Sequence, residues 1–166
     1  MTRNKSFHLV RATLLTLCAW TTAATHANEA PITLPRTDIA LAGAEKVLDA
    51  AFEEAKRNSW LVSVAVVDAA GELVALRKAD GAIGISPSVA IGKARTAALL
   101  RQPLKNFEEY INNGRPSFLA APDVLPLEGG MPIVVDGITV GAVGVSGAHG
   151  PNDSQVATIA AKSVTQ

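Results

Sequence analysis

Six side chains in this chain of 166 residues have types and settings that could do chemistry: His149, Lys93, Arg77, Arg95, Tyr110 and Asp68. His149 stands in SGAHGPND and is the sole histidine after His26. An imidazole at such a turn can ligate a metal ion or move a proton. The plainer alternative is an exposed turn histidine between small residues. Lys93 and Arg95 lie in GKARTAA (92–98), and Arg77 lies in ELVALRK (72–78). Arginine offers a carboxylate a two-pronged fork and lysine a point charge. For Lys93, a solvated position or a pairing with Asp80 competes with ligand binding. Asp68 heads DAAG (68–71), where turn formation accounts for the carboxylate as well as a general base does.

Other chemistries lack their residues. Cys18 is the only cysteine, so there is neither a disulfide nor a sulfur-based zinc site. Gly141, Gly144 and Gly147 have the wrong spacing for a dinucleotide loop and lie along a strand, where they would let another backbone come close. The stretch Gly144 to Ala148 misses a nucleophile elbow at its fifth position. No P-loop, H-E-x-x-H or calcium-loop pattern occurs.

Residues 1–27 have the order of a secretory leader, with Arg3, Lys5 and Arg11 before an apolar run, Ala12 to Ala24, and Thr25-His26-Ala27 as the cleavage site. The run is short of the ~20 apolar residues that span a bilayer. The chain is therefore expected to be periplasmic or secreted, with no stable membrane insertion after cleavage. The whole chain balances 15 basic against 15 acidic residues. Loss of three basic residues and no acid leaves it acidic, the wrong sign for a nucleic-acid partner.

The remaining positions read as an α+β domain over residues 37–166, after an extended lead-in over 28–36. Thr37 or Asp38 caps a helix running to about Asn58, whose apolar residues recur at steps of three and four. Trp60 to Val67 and Glu72 to Lys78 make a hairpin across Asp68 to Gly71. The first of these strands alternates weakly, which marks it as central and buried on both faces. Ser86-Pro87 starts a helix to about Arg101 with an alanine-rich face. Leu104 to Ile111 gives a short helix, and residues 112–132, with four prolines, form a long irregular segment that is functional or mobile. Met131 to Val135 and Ile138 to Ser146 flank Asp136-Gly137, a strong hairpin signal. Ser154 to about Ser163 is the last helix. Two hairpins separated by helices imply a central antiparallel sheet flanked by helices. Their order within the sheet is left open. The alanine-rich helix also offers a flat face for homo-oligomerisation, by which so small a domain covers apolar surface.

VAVVDAAGELVAL (64–76), GKARTAA (92–98) and GGMPIVVDGITVGAVGVSG (129–147) resemble the GlcG/HbpS family of heme-binding-like domains, also known as the domain of unknown function 336. The likeness spans residues 37–164. It implies a central antiparallel sheet of profilin- or PAS-like type, homo-oligomers, and heme as cofactor in some members. With heme as the ligand, the chemistry of His149 makes it the candidate axial ligand of the iron, at a position where many family members lack histidine, with Tyr110 and Met131 as other candidate ligands. Lys93, Arg77 and Arg95 become candidates for the propionates. The likeness also implies a sensor accessory or heme carrier, with a sensor or redox protein as partner. Two further readings stand beside it. One is a small cofactor-independent enzyme acting on an organic acid, in which Lys93 or Arg77 holds a carboxylate and Asp68 or His149 moves a proton. The other is a scaffold whose assembly is its function. If heme is bound, its cleft is expected beside residues 113–132.

Overall fold

The helices and strands form in the order α1 (Leu41–Arg57), β1 (Ser63–Asp68), β2 (Leu73–Lys78), α2 (Ser86–Leu100), α3 (Leu104–Asn112), a 3-10 turn (Pro116–Ala120), β3 (Gly130–Val135), β4 (Ile138–Ser146) and α4 (Gly150–Lys162). They belong to the unit Pro35–Gln166 of a computed structural model that describes residues 31–165. The leader expected over residues 1–27 lies outside the described residues. No described helix is long and apolar enough to cross a membrane.

Both expected hairpins form, and they join through the first strand of the first and the second strand of the second into one antiparallel sheet of order β2-β1-β4-β3. The β1–β4 register runs from Ser63 opposite Ser146 to Asp68 opposite Gly141. β1 is central and buried on both faces, as its weak alternation implies. One face is built of large side chains: Val62, Val64, Val66, Ile133, Val143 and Val145 meet the apolar stripes of α1 and α4. The other is built of small ones. Ala65, Val67 and Ala142 meet Ala90, Ala94, Ala97 and Ala98 of α2, with Leu104 and Phe107 of α3 closing the margin. Each large side chain removed from water contributes about 1.5–3 kcal/mol. The small ones contribute instead by letting a helix sit close on the sheet. The alanine face of α2 is thus spent inside the fold, and the oligomer surface expected of it is not available.

Three boundaries differ from the expectation, each for a tertiary reason. The Asp38 carboxylate does not cap a helix. It accepts the Ala69 N–H at 3.1 Å and Arg36 Nε at 2.9 Å, while Ile39 donates to the Val140 carbonyl at 2.8 Å. Residues 36–39 are thereby tied to the β1–β2 turn and to β4, and α1 starts only at Leu41. Ser86 caps nothing either, because its hydroxyl meets Ser63 Oγ at 2.8 Å and donates to the Ile83 carbonyl at 2.7 Å. The last helix begins at Gly150 rather than Ser154, with Pro151 in its first turn, where a missing N–H costs nothing. The irregular segment is anchored: Thr96 Oγ1 accepts the Leu125 N–H at 2.9 Å, and the Phe107 and Phe118 rings stand 5.4 Å apart.

A buried carboxylate couples α1 to α4. Glu54 accepts Gln155 Nε2 at 2.6 Å and Asn58 Nδ2 at 3.0 Å, and it pairs with Arg57. The Gln155 hydrogen bond first, then that of Arg57, holds its carboxyl below the usual carboxylate range despite burial. A depressed folded-state pKa gives stability that is fully present above the unfolded carboxyl's value of about 4.3 and is lost as pH falls through the folded value. Acid unfolding of the wild type should therefore steepen below about pH 4.3. Glu54→Gln should flatten that limb in urea midpoints taken against pH; an unchanged limb would remove Glu54 from the account.

Candidate functional site

The strand β4 ends at Ser146, and the chain then turns through Gly147, Ala148 and His149 into α4. His149 is the residue preceding the helix, exposed, with φ 71° and ψ 154°. That backbone region belongs essentially to glycine, and holding another residue there costs on the order of 1–3 kcal/mol. One carboxylate organises the turn. Asp153 Oδ1 accepts the Ala148 N–H at 2.9 Å, and its own N–H donates to the His149 carbonyl at 2.8 Å.

The other oxygen of Asp153 accepts Lys93 Nζ, from α2, at 2.9 Å. Lys93 Nζ also donates to the Val145 carbonyl at 2.9 Å. Both side chains are only 4% exposed. A Cβ added at Gly129 would stand 2.7 Å from Asp153 Cβ and 2.8 Å from Lys93 Nζ, so only glycine fits over the pair. Lys93 therefore has Asp153 as its partner, not Asp80 and not solvent. Because its charge is already balanced inside the fold, the carboxylate-holding role expected of it has no free ammonium behind it.

Beside this pair lies a cavity of about 290 Å³, lined by Ser146, His149, Glu108 and Glu128 as well as by Lys93 and Asp153. Its three carboxylates outnumber its one ammonium. The Glu108 carboxylate accepts the Glu128 N–H at 2.8 Å and so holds the end of the irregular segment against the cavity. On the other side of His149 is a second cavity, of about 350 Å³, bordered by Trp60, Leu61 and Ile83. Trp60 and Leu61 continue into a third and larger one, of about 700 Å³, with Phe52, Ala55, Lys56 and Arg77 on its walls. Adjoining through Ser59, Trp60 and Leu61, these two cavities form a trench with apolar walls at Phe52, Trp60, Leu61 and Ile83 and charged ones at Asp49, Glu53, Lys56 and Arg77. It meets the acidic cavity at His149 and Ile83.

The structure brings His149 and Lys93 together and leaves the other candidates apart. Arg77 stands in the outer part of the trench, 2.8 Å from Asp49 and 3.0 Å from Glu45, with its guanidinium over the Phe52 ring. The Asp49 hydrogen bond, foremost, pushes its pKa up. Tyr110 is half exposed on α3 beside Phe118 and borders none of these cavities. Met131 packs into the α1–α4 face of the sheet. Arg95 Nε donates to the Gly71 carbonyl at 3.0 Å, a tie to the hairpin turn. Asp68 accepts the N–H groups of Ala70 and Glu72 at 2.8 and 2.9 Å, which is turn formation. The sequence reading passed over Asp153, Glu128 and Ser146. Only Asp153 left a signal there, as an acid following Gly-Pro-Asn in the first turn of a helix.

Comparison with known proteins places the chain in a family. Protein GlcG of Escherichia coli K12 is 50% identical over 103 residues, covering 62% of this chain and 77% of its own length. The crystal structure of a double mutant of HbpS from Streptomyces reticuli superposes with a TM-score of 0.76 at 32% identity, covering 88% of this chain and 100% of that one. A PduOC:heme complex shares the fold, with a TM-score of 0.70 at 23% identity over 77% of this chain and 96% of its own. The family model described as haem degrading protein HbpS-like matches residues 39–162. With the antiparallel sheet, the flanking helices and most of the folded unit matched, the chain belongs to the HbpS-like family.

Proposed function

We propose that this protein binds heme or a related tetrapyrrole along the trench, with His149 as the iron ligand. The observation that carries the reading is the exposed imidazole of His149 at the junction of the trench and a polar cavity. The residues present fit the group. Phe52, Trp60, Leu61 and Ile83 offer apolar surface to a porphyrin face, as in ligand sites where apolar burial supplies most of the binding energy. The acidic cavity repels carboxylates, and Arg77 is already paired with Asp49 and Glu45, so propionates would find their cation at Lys56 instead. Bound heme would supply iron-centred ligand and redox chemistry, tuned by its axial ligand. The haem-degrading description of the family and the heme complex of a protein sharing the fold both support a heme-related role.

The reading extends to an exported homo-oligomer that serves as a heme carrier or sensor accessory. It rests there on the leader-like order of residues 1–27 and on exposed apolar side chains outside the trench, Ile85, Leu99 and Leu119 among them. The alternative of an enzyme for organic acids calls on Lys93 or Arg77 as carboxylate holder, but Lys93 is bound to Asp153, and Arg77 is paired with Asp49 and Glu45.

Hemin added to the purified protein should show a Soret band shifted from that of free hemin. His149→Ala should shift that band and weaken binding by at least about tenfold, whereas Tyr110→Phe should leave both unchanged. A wild-type titration without spectral change would end the heme reading. A His149→Ala titration matching wild type would end the assignment of the ligand. The intact mass of exported protein should lack residues 1–27; a full-length mass would remove the export claim.

A further inference from the structure

We infer that Asp153 is a positioning residue for His149, with Lys93 there to balance its buried charge. The hydrogen-bond acceptor that Asp153 offers to Ala148 holds the histidine in a backbone conformation it would not keep unaided, and so presents the imidazole at the junction of trench and cavity. The inference rests on the proposed role of His149 for its purpose, but not for its geometry.

At φ 71° and ψ 154°, His149 occupies a region that disfavours any side chain with a Cβ. Such a residue persists only where its surroundings over-determine it. Here they do. The amide before His149, that of Ala148, donates to Asp153 Oδ1, and the carbonyl of His149 accepts the Asp153 N–H. Asn152 Nδ2 donates to the Ala148 carbonyl at 2.8 Å. The single carboxylate that grips the turn is in turn fixed by Lys93 Nζ, which is also tied to the end of β4 through the Val145 carbonyl. Gly129 closes over the pair with no room to spare.

An acid in the first turn of a helix serves as a cap in water and needs no cation from elsewhere. In this fold a lysine 60 residues away in sequence is buried to meet it. Burying an ammonium and a carboxylate is favourable only when both are fully hydrogen-bonded, and an apolar pair of similar volume would hold two helices together as well or better. What an apolar pair cannot do is accept the Ala148 N–H. The polar pair is therefore suited to the turn carrying His149, beyond the contact between α2 and α4.

Two double variants separate these roles. In Lys93→Met with Asp153→Asn, the side-chain amide oxygen can still accept the Ala148 N–H. In Lys93→Met with Asp153→Leu, the packing stays and the acceptor is gone. Both should fold, as circular dichroism and thermal melts would establish. In the ligand-free full chain, NMR should show the Ala148 and His149 amides and the His149 ring signals near their wild-type positions in the first variant. In the second they should move to values of a flexible chain. Hemin affinity should follow, falling about 10- to 100-fold in the second variant only, the usual cost of losing a partner that orients a metal ligand. Wild-type His149 signals in the Asp153→Leu variant would overturn the inference. So would equal displacement in both variants, which would assign the hold to the charges of the pair and not to the acceptor. If hemin binding ignores His149 altogether, the heme reading falls, while the ligand-free NMR still decides the positioning.

Discussion

Lys93→Ala destabilises the fold by about 3–5 kcal/mol, the cost of leaving one member of a buried ion pair behind. Asp153 would keep its hydrogen bond from Ala148 but lose its charge partner in a place only 4% exposed to water. The void left by the lysine stem adds to the cost. Against a total stability of about 5–15 kcal/mol for a domain, such a loss leaves a marginal protein. The urea midpoint should fall steeply with little change in slope, because the surface exposed on unfolding is nearly the same. A midpoint within error of wild type would mean that the pair is solvated in solution. The same variant is a poor probe of ligand binding, since a lost hemin signal could simply report a lost fold.

A comparable effect is expected from a single methyl group at Gly144. A Cβ there would strike the carbonyl oxygen of Ala90 and lie 2.5 Å from the backbone nitrogen of Ala94. These are main-chain atoms in the middle of α2, so no side chain can turn aside and the whole helix must lift from the sheet. Overpacking of this kind costs about 1–3 kcal/mol where neighbours can adjust. Here they cannot, and Gly144→Ala should reach or pass the upper figure, lowering the melting temperature by roughly 10 °C. Gly144→Val should yield no folded protein. A Gly144→Ala melt close to wild type would show that α2 rides higher on β4 than the structure has it.

The architecture was legible wherever a local pattern decides it. The apolar run at Trp60–Val67 gave a central strand, Asp136-Gly137 gave a hairpin, and Ser86-Pro87 with the alanines after it gave a helix. Positions decided by partners far along the chain were not legible. Asp38 has the chemistry of a cap but finds Ala69, and Ser86 likewise finds Ser63. Placing the last helix at Ser154 left Asp153 outside it and hid the residue that answers Lys93. Arg77 illustrates a further limit. Alternation along a strand assigns side chains to two faces, but nothing local says which face meets which helix. Arg77 falls on the α1 side, with Glu45 and Asp49, and not on the side of α2 and Lys93.

The Lys93–Asp153 contact also fixes an order of events. Its partners are 60 residues apart, and the turn that carries His149 is organised from the first turn of α4, the last helix of the chain. A chain emerging from N to C terminus can pair β1 with β2 and lay down α2 well before that helix exists, since nearby contacts close first. Until it arrives, Lys93 has no carboxylate to meet and the ligand turn has no shape. Any ligand held by His149, as proposed, would therefore wait for α4 to form. A polypeptide cut short before Gly150 would retain every strand and yet have nothing with which to hold His149 in place.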